Sequence, residues 1–336
     1  MDTTQLVLAS AERMFRDHCD KKLLDAAEQG YFAAELWSLF DDNGLPALAT
    51  PAGGGSLADV FHLLRIAGRH ALPLPLAEVL IANHLMGAAA DCGPAGGRIS
   101  LGIADSRSAE GGEVNVELVG VPWARAMERV CYVIGDPLEI VLLDVADCEV
   151  IEHANIAGEP RDSLRFVGVP PRCGNPSDSV AHVFELMALS RAAQMSGVLE
   201  RVLEMSLSYA KERKQFGRPI GGFQAIQHTL AVMAGHVAAA LRATDAAIAA
   251  LPGERFAVQV AVAKARVGEA AGVVAEMAHQ VHGAMGFTHE HQLHHFTRRL
   301  LAWRDEYGRE NYWQQRIGRR VAGGGADATW DFIVGA

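Results

Sequence analysis

The chain is poor in the features that mark a disulfide-built, nucleic-acid-binding or membrane protein. It has five cysteines, Cys19, Cys92, Cys131, Cys148 and Cys173, all widely spaced. No CxxC pair exists, which excludes the usual zinc site and redox dithiol, and the odd count fits reduced thiols of the cytoplasm. Positive charge is also short: 30 Lys and Arg stand against 40 Asp and Glu, a formal net charge of −10. That balance argues against a nucleic-acid partner, which needs a basic face. It also means that any phosphate must be met by a local Arg or Lys. No apolar run approaches the ~20 residues of a membrane span. The first residues lack the basic flank and apolar stretch of a signal peptide, so a cytoplasmic protein is expected.

What is present is core. Half of the 336 residues are hydrophobic and 21% are charged, enough for two or three domains. Residues 1–95 read as a helical domain with segments near 4–28, 31–44, 56–69 and 74–90, broken at Gly53–Gly55 and Pro73–Pro75. Character changes at Gly93–Gly97, and residues 96–172 read as a small β-barrel-like or sandwich domain with strands at 113–119, 129–134, 139–144 and 148–152. Helix returns near Ser177, so residues 173–336 form the third domain. Apolar stripes run through Met195, Leu199, Val202, Met205 and Tyr209, and through Ile226, Leu230, Met233, Val237 and Leu241. A third, from Phe256 through Val260, Ala263, Val267, Ala270, Val274 and Met277 to Val281, alternates in steps of four and three. Such spacing implies a four-helix bundle. The expected fold is mainly α with one small β-domain.

Two motifs stand out. Residues 209–233 hold Arg213, a planar cation suited to a pyrophosphate, then Phe216-Gly217, an aromatic face with a flexible joint. Pro219 is expected to stop a helix and Gly221-Gly222 to reverse the chain, with Gln224 and Gln227 opening the next helix where free N–H groups meet anions. The second motif is Gln280-Val281-His282-Gly283-Ala284-Met285-Gly286-Phe287, a glycine loop able to approach a ligand closely. As a structural alternative it is a helix C-cap with a tight turn.

Both motifs resemble signatures of the acyl-CoA dehydrogenase family, flavoenzymes that oxidise the Cα–Cβ bond of acyl thioesters. The order helical domain, β-domain, helical bundle is similar to that family over essentially the whole chain. The resemblance implies FAD as cofactor, an acyl-CoA substrate, an electron-transfer flavoprotein as electron acceptor, and a dimer-based assembly, a homo- or hetero-tetramer. It further implies that Arg213, Phe216, Gln224, Gln280, Gly283 and Gly286 form a half-site donated to the FAD of a neighbouring subunit.

The chain departs from the family in two places. The Thr-Glu…Gly-Ser-Asp and Trp-Ile-Thr/Ser stretches that steady the flavin are replaced by Leu101-Gly102-Ile103-Ala104-Asp105-Ser106-Arg107-Ser108 and by Val121-Pro122-Trp123-Ala124-Arg125-Ala126. Trp123 alone matches. The catalytic carboxylate is missing from both family positions, which here are Tyr307 beside Gly308, and Met187 near Glu185, with Arg191 four residues beyond Met187. Glu306 is the best candidate base, provided the loop shifts by one residue. The alternative makes Arg304, Asp305 and Glu306 a solvated helix end. Tyr307, with an ordinary pKa of about 10, is a poor base near neutral pH. The histidines 282, 289, 291, 294 and 295 cluster densely but lack supporting ligands beyond Glu290, so no metal is expected. Three readings stay open: a self-sufficient FAD-dependent acyl-CoA dehydrogenase, a non-catalytic partner subunit of a heterotetramer such as those of bacterial steroid side-chain breakdown, and a helical scaffold without chemistry.

Overall fold

The structure is a computed structural model, and it describes residues 3–89, 97–104, 107–110, 113–135, 138–168 and 179–334. The two sequence-derived domain boundaries, at 95/96 and 172/173, lie outside the described residues, as do residues 93–96 of the glycine-rich junction, Asp105-Ser106, Ser177, Cys92 and Cys173. The chain divides into two compact units, Met1–Ser190 and Arg191–Ala336.

The first unit opens with α1 (Thr3–His18), α2 (Lys21–Ala27), α3 (Ala34–Asp42), α4 (Leu57–Arg69) and α5 (Leu76–Ala88). The expected single helix over 4–28 is two. Asp20 takes an extended backbone and its carboxylate accepts from Leu23 N at 2.8 Å, so it caps α2 and breaks the run. A capping box of Ser56 and Asp59 starts α4. Residues 76–83 of α5, together with Leu85 and Met86, are all buried, Glu78 and Asn83 included, so this helix has no polar face.

The β-region holds two sheets. Parallel β1 (Ile99–Ile103) and antiparallel β5 (Glu139–Asp144) flank β4 (Arg129–Ile134). The other sheet has the order β2 (Arg107–Glu110), β3 (Glu113–Pro122), β7 (Arg161–Gly168), β6 (Glu149–Ile151), all antiparallel. One core serves both, with Leu118, Val121 and Leu164 from one sheet against Val130, Tyr132 and Val141 from the other. The four expected strands correspond to β3, β4, β5 and β6; β1, β2 and β7 are additional. Trp123, left-handed at φ 55°, is buried with Ala27 and Met127 and meets Phe32 edge-on at 5.8 Å.

Helix α6 (Val180–Glu212) gives its first residues to this unit and the rest to the second. The second unit continues with a hairpin of β8 (Lys214–Gln215) and β9 (Arg218–Pro219), then α7 (Gln224–Ala249), α8 (Phe256–His282), α9 (Leu293–Asp305), α10 (Glu310–Gly324) and α11 (Thr329–Val334). Helix α8 packs against α7, α9 and α10. Most of its predicted stripe is core: Val260, Ala263, Val267, Ala270 and Val274 are all fully buried. Among the described residues no helix is long and apolar enough to cross a membrane.

The junction after α6 corrects one expectation. The helix ends at Glu212 rather than at Pro219, and Pro219 pairs with Lys214 in the hairpin. The chain reverses at Phe216-Gly217, both at positive φ (52° and 81°), rather than at Gly221-Gly222, which lie in a short 3₁₀ turn. A two-residue loop with both residues left-handed matches the twist of paired strands, so the hairpin wins over helix continuation. Ile220 N donates to Arg213 O at 2.8 Å and closes it.

Candidate functional site

The two motifs, about seventy residues apart, line one open cleft of about 410 Å³ in the second unit. From the first come Tyr209, Arg213, Gln215 and Ile220; from the second come Val281, His282, Gly283, Ala284 and Met285. Arg213 is exposed, and among the described residues no side-chain partner engages its guanidinium. Its backbone is fixed, since Arg213 N donates to Tyr209 O at 2.8 Å while its carbonyl closes the hairpin. A cation on a rigid base with its donors uncommitted suits a phosphate.

Gly283 ends α8 with φ 58° and ψ −141°, a conformation for which L side chains are strained, and nothing lies within 4 Å of where its Cβ would be. The backbone there is bare and faces open space. Gly286 is a glycine for a different reason: a Cβ would sit 3.0 Å from His282 Cβ and 3.3 Å from Leu293 Cδ2. His282 forms the wall. Its ring stacks on Tyr209 at 4.5 Å and its Nδ1 donates to Ala278 O at 2.8 Å. Its Nε2 is buried without a partner among the described residues. Burial pushes the His282 pKa down, with the Ala278 carbonyl opposing and His291 and His279 adding to the fall.

The remaining predicted residues lie around the cleft without lining it. Phe216, 91% exposed at the hairpin tip, meets Phe223 edge-on at 6.0 Å. Gln224 is the exposed first residue of α7, and Gln280 is exposed on the last turn of α8. The neighbouring Gln227 is committed to the backbone, donating from Nε2 to Gly221 O at 3.0 Å.

Glu306 sits elsewhere in the second unit, in the turn between α9 and α10. It is no solvated helix end. Arg191, only 2% exposed on α6, donates from Nε to Glu306 Oε2 at 2.5 Å, and the Glu306 side chain is 19% exposed. Arg191 also donates to Gln194 Oε1 at 2.8 Å, and its guanidinium lies 5.5 Å from the Tyr307 ring. Asp305, in contrast, is exposed and paired with Arg309. The turn is tied from outside by Trp313 Nε1, which donates to Tyr307 O and Gly308 O, each at 3.1 Å, and by an ion pair of Arg304 with Glu310.

Sequence reasoning missed Lys264. It lies in α8, 1% exposed, and its Nζ donates to Arg304 O and Gly308 O at 2.9 Å and to Trp303 O at 3.3 Å. Burial pushes its pKa down to about 7, with Glu306 opposing and Arg191 adding to the fall. The available signal was its position four residues after Val260 and three before Val267, inside the apolar stripe. The thiols of Cys131 and Cys148 are pushed up to about 12 and about 11 by burial, so neither is a ready nucleophile.

Known proteins resemble the chain in sequence and in shape. The family model "Acyl-CoA dehydrogenase, C-terminal domain" matches residues 178–322. Acyl-CoA dehydrogenase IpdE2 of Mycobacterium tuberculosis is 29% identical over 294 residues, 82% of either chain. IpdE2 of Mycolicibacterium smegmatis is 26% identical over 310 residues, 88% of this chain and 91% of the relative. A chain of the ChsE4–ChsE5 complex from Mycobacterium tuberculosis has the same fold, with a TM-score of 0.87 over 96% of this chain and 98% of that one at 21% identity.

Proposed function

Because the chain belongs to the acyl-CoA dehydrogenase family, we propose that it is one subunit of a heteromeric acyl-CoA dehydrogenase, giving half of a flavin site to a mate that holds the rest. The single observation that carries this reading is the cleft: an uncommitted Arg213 and the bare backbone of Gly283 face the same opening. The residues fit a dinucleotide. Arg213 would bind the pyrophosphate, the N–H groups after Gly283 would approach the same group, and Phe216, Gln224 and Gln280 would border it. When bound, FAD supplies a hydride acceptor for α,β-dehydrogenation of an acyl-CoA of lipid or steroid origin.

Two observations favour a partner over a self-sufficient enzyme. Trp123, which matches a flavin-facing family residue, has its ring spent in the core with Ala27, Met127 and Phe32. Glu306 is spent on Arg191. The shape likeness to a chain from a complex of two differently named proteins agrees with this reading. The self-sufficient reading keeps one argument: the Glu306 turn is a built feature, which a discarded base would not need.

Co-production with candidate mates tests the proposal. A partner subunit purified alone lacks flavin absorbance near ~450 nm and gains it, with acyl-CoA turnover, in a mixed oligomer. A yellow homo-oligomer that turns over acyl-CoA alone would overturn it.

A further inference from the structure

Lys264 is a basic residue set in the apolar stripe of α8, and its Nζ is placed where another helix ends. The last carbonyls of a helix lack intrahelical donors and carry the negative end of its dipole. At the end of α9 those carbonyls belong to Trp303 and Arg304, and Lys264 Nζ reaches both, together with the Gly308 carbonyl beyond the turn. One side-chain nitrogen thus spans residues 303–308, across the two left-handed residues Tyr307 (φ 55°) and Gly308 (φ 92°). A non-glycine residue in that conformation costs on the order of 1–3 kcal/mol unless the surroundings enforce it. Trp313 holds the carbonyls of Tyr307 and Gly308 from the α10 side, the second of them shared with Lys264.

We infer that Lys264 is the positioning residue of this turn, a buried latch that joins α8 to the end of α9 through three main-chain carbonyls and so holds Glu306 against Arg191. It acts through the backbone, its bonds being to main-chain carbonyls. The inference does not rest on the flavin reading, because the turn and the cleft share no lining residue.

The charged groups around Nζ are Arg191 from α6, Arg304, Asp305 and Glu306 from α9 and the turn, and Glu310 of α10 through its pair with Arg304. Burial is the largest influence and favours the neutral amine in the closed turn. Opening the turn to water restores the ordinary lysine pKa of about 10.4, so opening takes up a proton. Between about pH 7 and that value, raising pH therefore opposes opening.

Hydrogen exchange of the full-length chain, with any co-purifying subunit, reads this directly. After correction for intrinsic exchange, protection of amides in 305–309 should rise by about tenfold from pH 7 to 8.5. Amides of α7 at 230–245 serve as the internal reference and should not follow. In Lys264→Met the turn should lose about tenfold or more in protection and its pH dependence should vanish. A variant whose turn is as protected as the wild type overturns the inference. Should Lys264→Met fail to fold, Lys264→Gln is read in the same way, with the same two outcomes.

Discussion

The cleft beside Arg213 and the turn beside Lys264 lie in the same helical unit and are built on opposite plans. In the cleft, groups are left over among the described residues: a guanidinium without a partner, a buried imidazole nitrogen without a donor, a glycine facing space. In the turn, polar groups are joined to one another. Lys264 meets three carbonyls, Arg191 meets Glu306 and Gln194, Arg304 meets Glu310, and Trp313 meets the Tyr307 carbonyl and shares that of Gly308 with Lys264. A buried unsatisfied group costs free energy in an isolated chain, so retention of the bare His282 nitrogen points to something supplied from outside. A saturated cluster is complete without a ligand. The difference separates a surface meant to receive from an element meant to hold its shape.

The strongest way to break this comparison is Glu306→Gln. It leaves the buried Arg191 cation without its carboxylate, and a broken buried pair costs about 3 kcal/mol or more. Denaturant unfolding should show that loss, while the flavin content and turnover of the folded assembly stay near wild type. A well-folded variant with turnover abolished would make Glu306 a base and return the chain to the self-sufficient reading.

Arg213→Ala should do the reverse. Loss of a charge-assisted contact to a pyrophosphate weakens flavin retention by about 2 kcal/mol, some thirtyfold, with stability unchanged because the side chain is exposed. Flavin per assembly after gel filtration measures it. Unchanged occupancy would remove the pyrophosphate role.

Much of this was legible in the sequence, for physical reasons that differ by element. The bundle stripes were clear because burial on one face of a long helix imposes its period on Val260, Ala263, Val267 and Val274. Strands β3 to β6 showed β-rich runs, whereas β1 did not: Ile99, Ser100, Leu101 and Gly102 are all buried, so no polar side marks the pleat. Strand β7 hid behind Arg161, Asp162 and Arg165. Its Asp162 is fully buried because Arg125 binds it, a pairing across 37 positions that no local pattern reveals. The two glycine-bearing motifs were legible, and the joint purpose proposed for them rests on the family resemblance. The Lys264 latch was not, because its partners are main-chain carbonyls and leave no mark in side-chain identity. Glu306 could be named from the family resemblance, yet its pairing with Arg191 depends on a separation of 115 positions.

A smaller effect sharpens the cleft itself. Gly283→Ala places a Cβ at φ 58°, ψ −141°, where only backbone strain opposes it because no atom lies within 4 Å. The cost should be about 1–2 kcal/mol in unfolding free energy, with a further loss of flavin if the bare backbone meets the cofactor. Gly286→Ala serves as its control, since that Cβ meets His282 and Leu293 and should act on packing alone.

The smallest effect belongs to Phe216. At 91% exposure its ring contributes little to the isolated chain, so Phe216→Ser should change unfolding free energy by no more than about 0.5 kcal/mol. An aromatic held at positive φ on a hairpin tip, beside Phe223 and under no obligation to the core, is nevertheless the kind of group that anchors an interface. The same substitution should therefore weaken association with the mate while leaving the circular dichroism and melting curve of this chain alone. If association by sedimentation is equally unaffected, the hairpin tip is only a turn, and the receiving surface shrinks to Arg213, His282 and Gly283.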